Sequence, residues 1–217
     1  MNVIAVVTAK RFTAAKQRMS DGIPKAKRLA LVEAMLGDVL QAVTSARQVT
    51  STIVVTGEPI AAGLATEFGA EVIHDPEDAS YSGAATLGAI RARELGADSV
   101  ILLPGDCPLL EPCDLDRLLT GMPEPLVTVV PDRHGTGTNA LVIRPPDAIK
   151  PAFGKGSCER HLGLAGTAGI PHTTEQVDRL ALDIDTLADI DALTRKLEMT
   201  RAAGENPAPR TAAILGI

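Results

Sequence analysis

Residues 99–110 read "SVILLPGDCPLL". Val100, Ile101, Leu102 and Leu103 are apolar without alternation, the pattern of a strand buried on both faces in the middle of a parallel sheet. The run then stops at Pro-Gly-Asp. Gly105 permits an unusual backbone angle or a close ligand approach, and Asp106 projects past the strand end. Ligands of open α/β sheets bind beyond the carboxyl ends of the strands, so Asp106 is either a site carboxylate or a cap for the helix that follows.

Working outward, the pattern repeats. "NVIAVV" (2–7), "STIVVT" (51–56) and "AEVIHD" (70–75) read as strands. "KAKRLALVEAMLGDVLQAVTSA" (25–46), "PIAAGLATEFG" (59–69) and "AATLGAIRARELG" (84–96) read as helices, with Leu29, Val32, Met35, Leu36 and Val39 at helical spacing in the first. Such β-α-β-α order implies a mostly parallel central sheet with helices on both faces, a Rossmann-like α/β domain. The second half adds a helix at "CDLDRLLTGM" (113–122), strands at "PLVTVV" (125–130) and "TNALVI" (138–143), a last strand at "RLALDID" (179–185), and a helix at "LADIDALTRKLEM" (187–199). One domain is expected over 1–200, followed by a loosely ordered tail over 201–217, where Ala, Pro and Gly dominate.

With 217 residues, 45% of them hydrophobic, the chain can bury a full core. Aromatics make up 2% and Trp is absent, which argues against recognition of single-stranded nucleic acid by stacking. A net charge of −6 argues against nucleic acid and anionic membranes as partners. Cys107, Cys113 and Cys158 follow no metal-ligand spacing, and with no signal peptide in view they point to the reducing cytoplasm.

Candidate chemistry collects at the strand ends. Lys10, Lys16 and Arg18 lie between the first strand and the first helix, where α/β nucleotide sites hold phosphate. The glycines of a phosphate-binding loop or a dinucleotide fingerprint are missing, so side-chain cations would do that work. Alternation along "LALDIDT" places Asp183 and Asp185 on one face, with Ile184 opposite. With Asp106 they form a carboxylate set suited to Mg²⁺, although Asp185 could equally cap the final helix. "PDRHGTGTNALVI" (131–143) is a poor strand and a poor helix at its Gly-Thr pairs. "AFGKGSCERH" (152–161) offers open backbone at Gly154 and Gly156 and a hydroxyl at Ser157, which suits an anion or simply caps a helix. His161 reads as a helix-face residue and Cys158 as inert.

Taken together, "AKRFTAAKQRM", "LPGDCPLL", "VPDRHGTGTNAL", "FGKGSCERH" and "LDIDTLADI" resemble the 2-phospholactate and phosphoenolpyruvate guanylyltransferases of coenzyme F-420 biosynthesis. These are nucleotidyltransferases related to molybdopterin guanylyltransferase, and the likeness runs to about Leu193. It implies transfer of GMP from GTP to a phosphorylated three-carbon acid, phosphoenolpyruvate or 2-phospholactate, with release of pyrophosphate. It also implies Asp106, Asp183 and Asp185 as Mg²⁺ ligands. Asp106 and Lys16 would be catalytic, Lys10, Lys16, Arg18, Ser82 and Gly105 would bind nucleotide, and Thr138, Gly154 and Ser157 would bind the acid. The implied partners are GTP and the acid. A downstream transferase that takes the product and a homo-oligomer are compatible with it. The family's Leu-Asn pair near the base is replaced here by "YSGAATLGAI", where Ser82 and Thr86 are the polar residues. Other acceptors (3-phosphoglycerate, a sugar phosphate, molybdopterin) and a non-catalytic nucleotide-binding relative are the competing readings.

Overall fold

The computed structural model describes residues 1–12, 19, 22–78 and 80–217. Its first half is a repeated strand–helix unit: β1 (Val3–Ala9), α1 (Lys25–Ser45), β2 (Ser51–Thr56), α2 (Pro59–Glu67), β3 (Glu71–His74), α3 (Tyr81–Glu94) and β4 (Ser99–Pro104). Then follow α4 (Pro112–Leu119), β5 (Leu126–Pro131), β6 (Thr138–Arg144), α5 (Ser157–Thr167), β7 (His172–Thr174), α6 (Leu187–Ala202) and α7 (Pro209–Leu215). The strands form one sheet in the order β3-β2-β1-β4-β6-β5-β7. β6 is antiparallel to both its neighbours, and the other pairings are parallel.

The period of two along each strand sorts the core into two layers. On β1, Val3, Ala5, Val7 and Ala9 face α1, α2, α4, α6 and α7, while Ile4 and Val6 face α3 and α5. β4 follows the same rule, with Ile101 and Leu103 on the first side and Val100 and Leu102 on the second. α3 lies close against the sheet because its buried face is Ala and Gly: a Cβ on Gly88 would come within 2.2 Å of the Val6 side chain.

From β1 the chain winds outward through β2 to β3, then returns to place β4 on the other side of β1. The loops leaving β1 and β4 therefore diverge and open a crevice between them, the usual ligand position in such sheets.

Two expectations need correction. "RLALDID" is not a strand: residues 178–180 form a turn and 182–185 are irregular. The position beside β5 is taken by β7, and the segment runs outside the sheet. Isolated hydrogen bonds tie it to its neighbours instead of a ladder, among them Arg133 N–H to the Ala181 carbonyl and Ile184 N–H to the Asp106 carbonyl. Its alternation survives all the same, with Leu182 and Ile184 buried in the α1-side core. The tail is not loose either. α7 docks on α1, where the buried Asp38 carboxylate accepts from the backbone N–H groups of Arg210 (3.1 Å) and Thr211 (2.8 Å). A capping partner supplied from the other end of the chain is invisible to local composition.

Candidate active site

Two cavities adjoin at the carboxyl ends of β1 and β4. The first, about 370 Å³, is bounded by the ends of both strands, Lys10, Leu36 and Gly105. The second, about 490 Å³, is bounded by the β5–β6 loop, residues 153–157 and Asp183. Tyr81, Pro104, Asp106 and Asp185 line both, so the carboxylates stand in the shared wall.

Gly105 earns its place by close approach. It has no positive φ, and a Cβ there would lie 3.0 Å from the Leu36 side chain and 3.4 Å from the Thr8 carbonyl. Lys10 lines the first cavity. Lys16 and Arg18 lie outside the described residues. Ser82 is not brought to either cavity. It faces a separate surface depression with Ser80 and Lys150, and its hydroxyl donates to the Phe153 carbonyl at 3.4 Å.

The Gly-Thr loop is organised around Asp132, which the sequence reading passed over. Its Oδ1 accepts from the N–H groups of His134 (3.1 Å) and Thr136 (2.9 Å). Gly135 takes φ of 72°, and a Cβ on Gly137 would come 2.6 Å from the Asp132 carboxylate, so the loop closes tightly on that side chain. Such an Asx-type turn is the signal that an Asp followed by Gly and Thr can carry.

A β-bulge then decides where the next side chains go. Val130 pairs with Ala140, but Pro131 pairs with Thr138, leaving Asn139 extra. Ala140 and Val142 face the α1 layer. Strict alternation would send Thr138 there as well. The extra residue reverses it, as bulges do, and Thr138 instead meets α5. Its Oγ1 lies 3.0 Å from Ser157 Oγ and 3.1 Å from His161 Nδ1, with all three residues buried.

Ser157 is therefore not the cap of α5. Gly156 holds that position in the left-handed region (φ 72°), and Ser157 is the first helical residue with its hydroxyl turned to Thr138. The first amides of α5 are already engaged. Ser157 N–H donates to the Gly154 carbonyl and Cys158 N–H to the Thr136 carbonyl, which ties the two loops together. Gly154 takes φ of 111° beside open space, so this stretch of backbone borders the cavity without crowding it.

On the other side of the sheet, Asn139 Nδ2 donates to the Leu180 carbonyl (2.7 Å) and to Asp183 Oδ1 (3.3 Å). Asp189, buried at the start of α6, forms a capping box with Thr186, accepts from Asp185 N–H (3.0 Å) and pairs with Arg133. Arg133 thus couples the Gly-Thr loop to the segment that carries Asp183 and Asp185. Neither Asn139 nor Asp189 stood out in the sequence.

Burial pushes the Asp183 carboxyl above its ordinary pKa, and the negative charges of Asp106 and Asp185 add to the effect against the Asn139 hydrogen bond. Among the described residues, no group of three or more His, Cys, Asp or Glu is arranged to hold a metal by itself. No helix is long and apolar enough to cross a membrane among them.

Residues 1–202 match the model of the guanylyl transferase CofC-like family. The chain belongs to that family. A phosphoenolpyruvate guanylyltransferase of Conexibacter woesei is 43% identical over 207 residues, covering 94% of this chain and 92% of that one. A 3-phospho-D-glycerate guanylyltransferase of Phenylobacterium zucineum is 35% identical over 195 residues, covering 88% and 89%. Among solved structures, a nucleotidyl transferase of Methanothermobacter superposes with a TM-score of 0.66 at 20% identity, covering 92% of this chain and 99% of that one. At that identity the likeness speaks for the nucleotidyltransferase fold alone. Within a guanylyltransferase family, the Asp, Lys, Thr, Ser and Gly among the described site residues have a chemical rationale. Phosphoryl-group attack needs anions brought together and neutralised more than it needs a base.

Proposed function

We propose that this protein transfers GMP from GTP to phosphoenolpyruvate. A phosphate oxygen of the acid attacks the α-phosphorus of GTP, a P–O–P linkage forms, and the bond from the α-phosphorus to the oxygen it shares with the β-phosphorus breaks. Pyrophosphate leaves with that electron pair. The observation that carries this reading is the shared carboxylate wall between two cavities, one at the β1 loop and one faced by paired hydroxyls. The first cavity would take the nucleotide beside Lys10, Gly105 and, outside the described residues, Lys16 and Arg18. The second would take the acid, with Thr138, Ser157 and the backbone near Gly154 on its phosphate and carboxylate.

The residues present fit Mg²⁺. Asp106, Asp183 and Asp185 offer hard oxygen donors, and their mutual repulsion, felt at Asp183, favours a cation among them. Magnesium is commonly held by one or two carboxylates together with substrate phosphates, so a complete set of protein ligands is not required. When bound, it would neutralise phosphate charge. Asn139 and Asp189 would hold the segment bearing Asp183 and Asp185 in register, and Lys10 and Lys16 would offset the charge of the triphosphate.

A phosphorylated acid of this size has one phosphate and one carboxylate, and 3-phosphoglycerate meets the same description. The relative from Phenylobacterium keeps it as the second reading. Purified protein incubated with Mg²⁺, each nucleoside triphosphate and each acid, with pyrophosphate release as readout, tests both. Turnover of GTP with phosphoenolpyruvate is expected, and release with none of the acids would overturn the assignment. Cytoplasmic location is proposed with it, since no disulfide joins Cys107, Cys113 or Cys158.

A further inference from the structure

His161 lies one helical turn beyond Ser157 on α5, its side chain fully buried. The backbone N–H of Ala152 donates to its Nε2 at 2.9 Å. A ring nitrogen that accepts carries no proton, so in the neutral imidazole the hydrogen sits on Nδ1. Nδ1 in turn faces Thr138 Oγ1 at 3.1 Å, and the bond must run from the ring to the hydroxyl. Burial, followed by the charge of Arg160, pushes the imidazole down to about 4, which keeps it neutral near pH 7.

With Nδ1–H donating, Thr138 Oγ1 accepts from the ring and keeps its own proton. Ser157 keeps its proton too. Between them they share one bond at rest, and both protons can turn to the oxygens of an incoming anion. In the other tautomer Nδ1 would accept, the Thr138 proton would be spent on the ring, and one hydroxyl proton would remain for the ligand.

We propose that His161 is a positioning residue that, locked in the Nδ1–H tautomer by Ala152, makes Thr138 and Ser157 a two-proton donor pair for the phosphorylated acid. The proposal rests on the reading that the second cavity takes the acceptor. The same ring also supports the loop next to that cavity. Phe153 stands edge-on to it with centroids 5.0 Å apart, and Tyr81 stands edge-on to Phe153 at 4.3 Å. A purely structural role would therefore also be damaged by removing the ring, and the test has to separate the two.

The ¹⁵N chemical shifts of the ring in the intact wild-type protein report the tautomer directly. The chain has 4 histidines, so a His161→Gln sample assigns the signal by its loss. A protonated Nδ1 and bare Nε2 near pH 7 are expected. The Nε2–H tautomer would overturn the proposal whatever the kinetics show, and this measurement needs no variant to be active. Kinetics supply the second arm. Glutamine can still accept from Ala152 but offers Thr138 no donor, whereas asparagine can place an N–H near Nδ1 and loses the Ala152 contact. His161→Gln should raise the acceptor KM by roughly tenfold or more, with the GTP KM within about twofold, and His161→Asn should recover most of it. Equal losses for both substrates in both variants would leave His161 a structural residue and overturn the proposal. If Thr138→Val leaves the acceptor KM unchanged, the acceptor-site reading itself falls, an outcome distinct from a wrong tautomer.

Discussion

Asn139 Nδ2 lies 3.3 Å from a carboxylate oxygen of Asp183, and Asn139 is the extra residue of the bulge in β6. One irregularity in one strand thus serves both sides of the site. It turns Thr138 toward α5 and leaves Asn139 on the layer where Leu180 and Asp183 pass. Asn139→Ala should lower kcat by about tenfold or more, the equivalent of roughly 1.4 kcal/mol in the barrier, and raise the Mg²⁺ concentration needed for half-maximal rate. Steady-state kinetics across a magnesium titration check it. An unchanged profile would confine Asn139 to its bond with the Leu180 carbonyl.

Asp106 stands in the wall between the two cavities. Asp106→Asn keeps the shape and removes the charge, so turnover should be abolished while circular dichroism and melting remain close to wild type. A rate within about tenfold of wild type would take Asp106 out of the catalytic set.

Thr138 and Ser157 touch each other and line one cavity. Thr138→Val and Ser157→Ala should each weaken acceptor binding by about 1.5–3 kcal/mol, the worth of one hydrogen bond to a charged group, and leave GTP binding alone. The double variant should lose less than the sum of the two, because the contacts share one ligand and each other. Titration calorimetry of the acid in the presence of Mg²⁺ and a non-hydrolysable GTP analogue provides the measurement.

Folding of His161 as a buried, neutral ring makes stability depend on pH. Its pKa is lowered from 6.5 to about 4, chiefly by burial. The contribution is fully present above the unfolded value and fades as pH falls from about 6.5 toward 4, because the unfolded chain takes up the proton first. At about 1.4 kcal/mol per unit, the loss is on the order of 3 kcal/mol. Urea unfolding at pH 7 and pH 4.5 should show most of this loss in wild type and a smaller one in His161→Gln.

Asp38 on α1 accepts from two N–H groups at the start of α7, and Thr211 is buried there. Asp38→Ala leaves those donors without the carboxylate and should cost about 1–3 kcal/mol. For a chain of this size that lowers Tm by roughly 2–12 °C, with kcat at low temperature unaffected, since neither Asp38 nor α7 lines either cavity. Thermal melts of the variant and of wild type check it.

The periodicity of "SVILLPGD" and its neighbours was enough to establish a largely parallel sheet covered on both faces, because the burial of alternate side chains is a property of each strand alone. The same local rule put Asp183 and Asp185 on one face, and it held even though the segment forms no strand. Leu182 and Ile184 still had to reach the core. The resemblance carried by the strand-end motifs then named the cluster. Tertiary structure alone decided the rest. The expected last strand runs outside the sheet, with β7 in the position beside β5. The tail became a helix because Asp38, more than 170 residues earlier, met its first amides. The side of the sheet that Thr138 faces was set by one unpaired residue in a β5–β6 register that no single-strand pattern encodes. The proton on His161 was set by a backbone amide nine residues away in sequence and 2.9 Å away in space. Burial is an average property that composition and spacing record. Hydrogen bonds between distant segments are made one at a time, after the chain has folded them into reach.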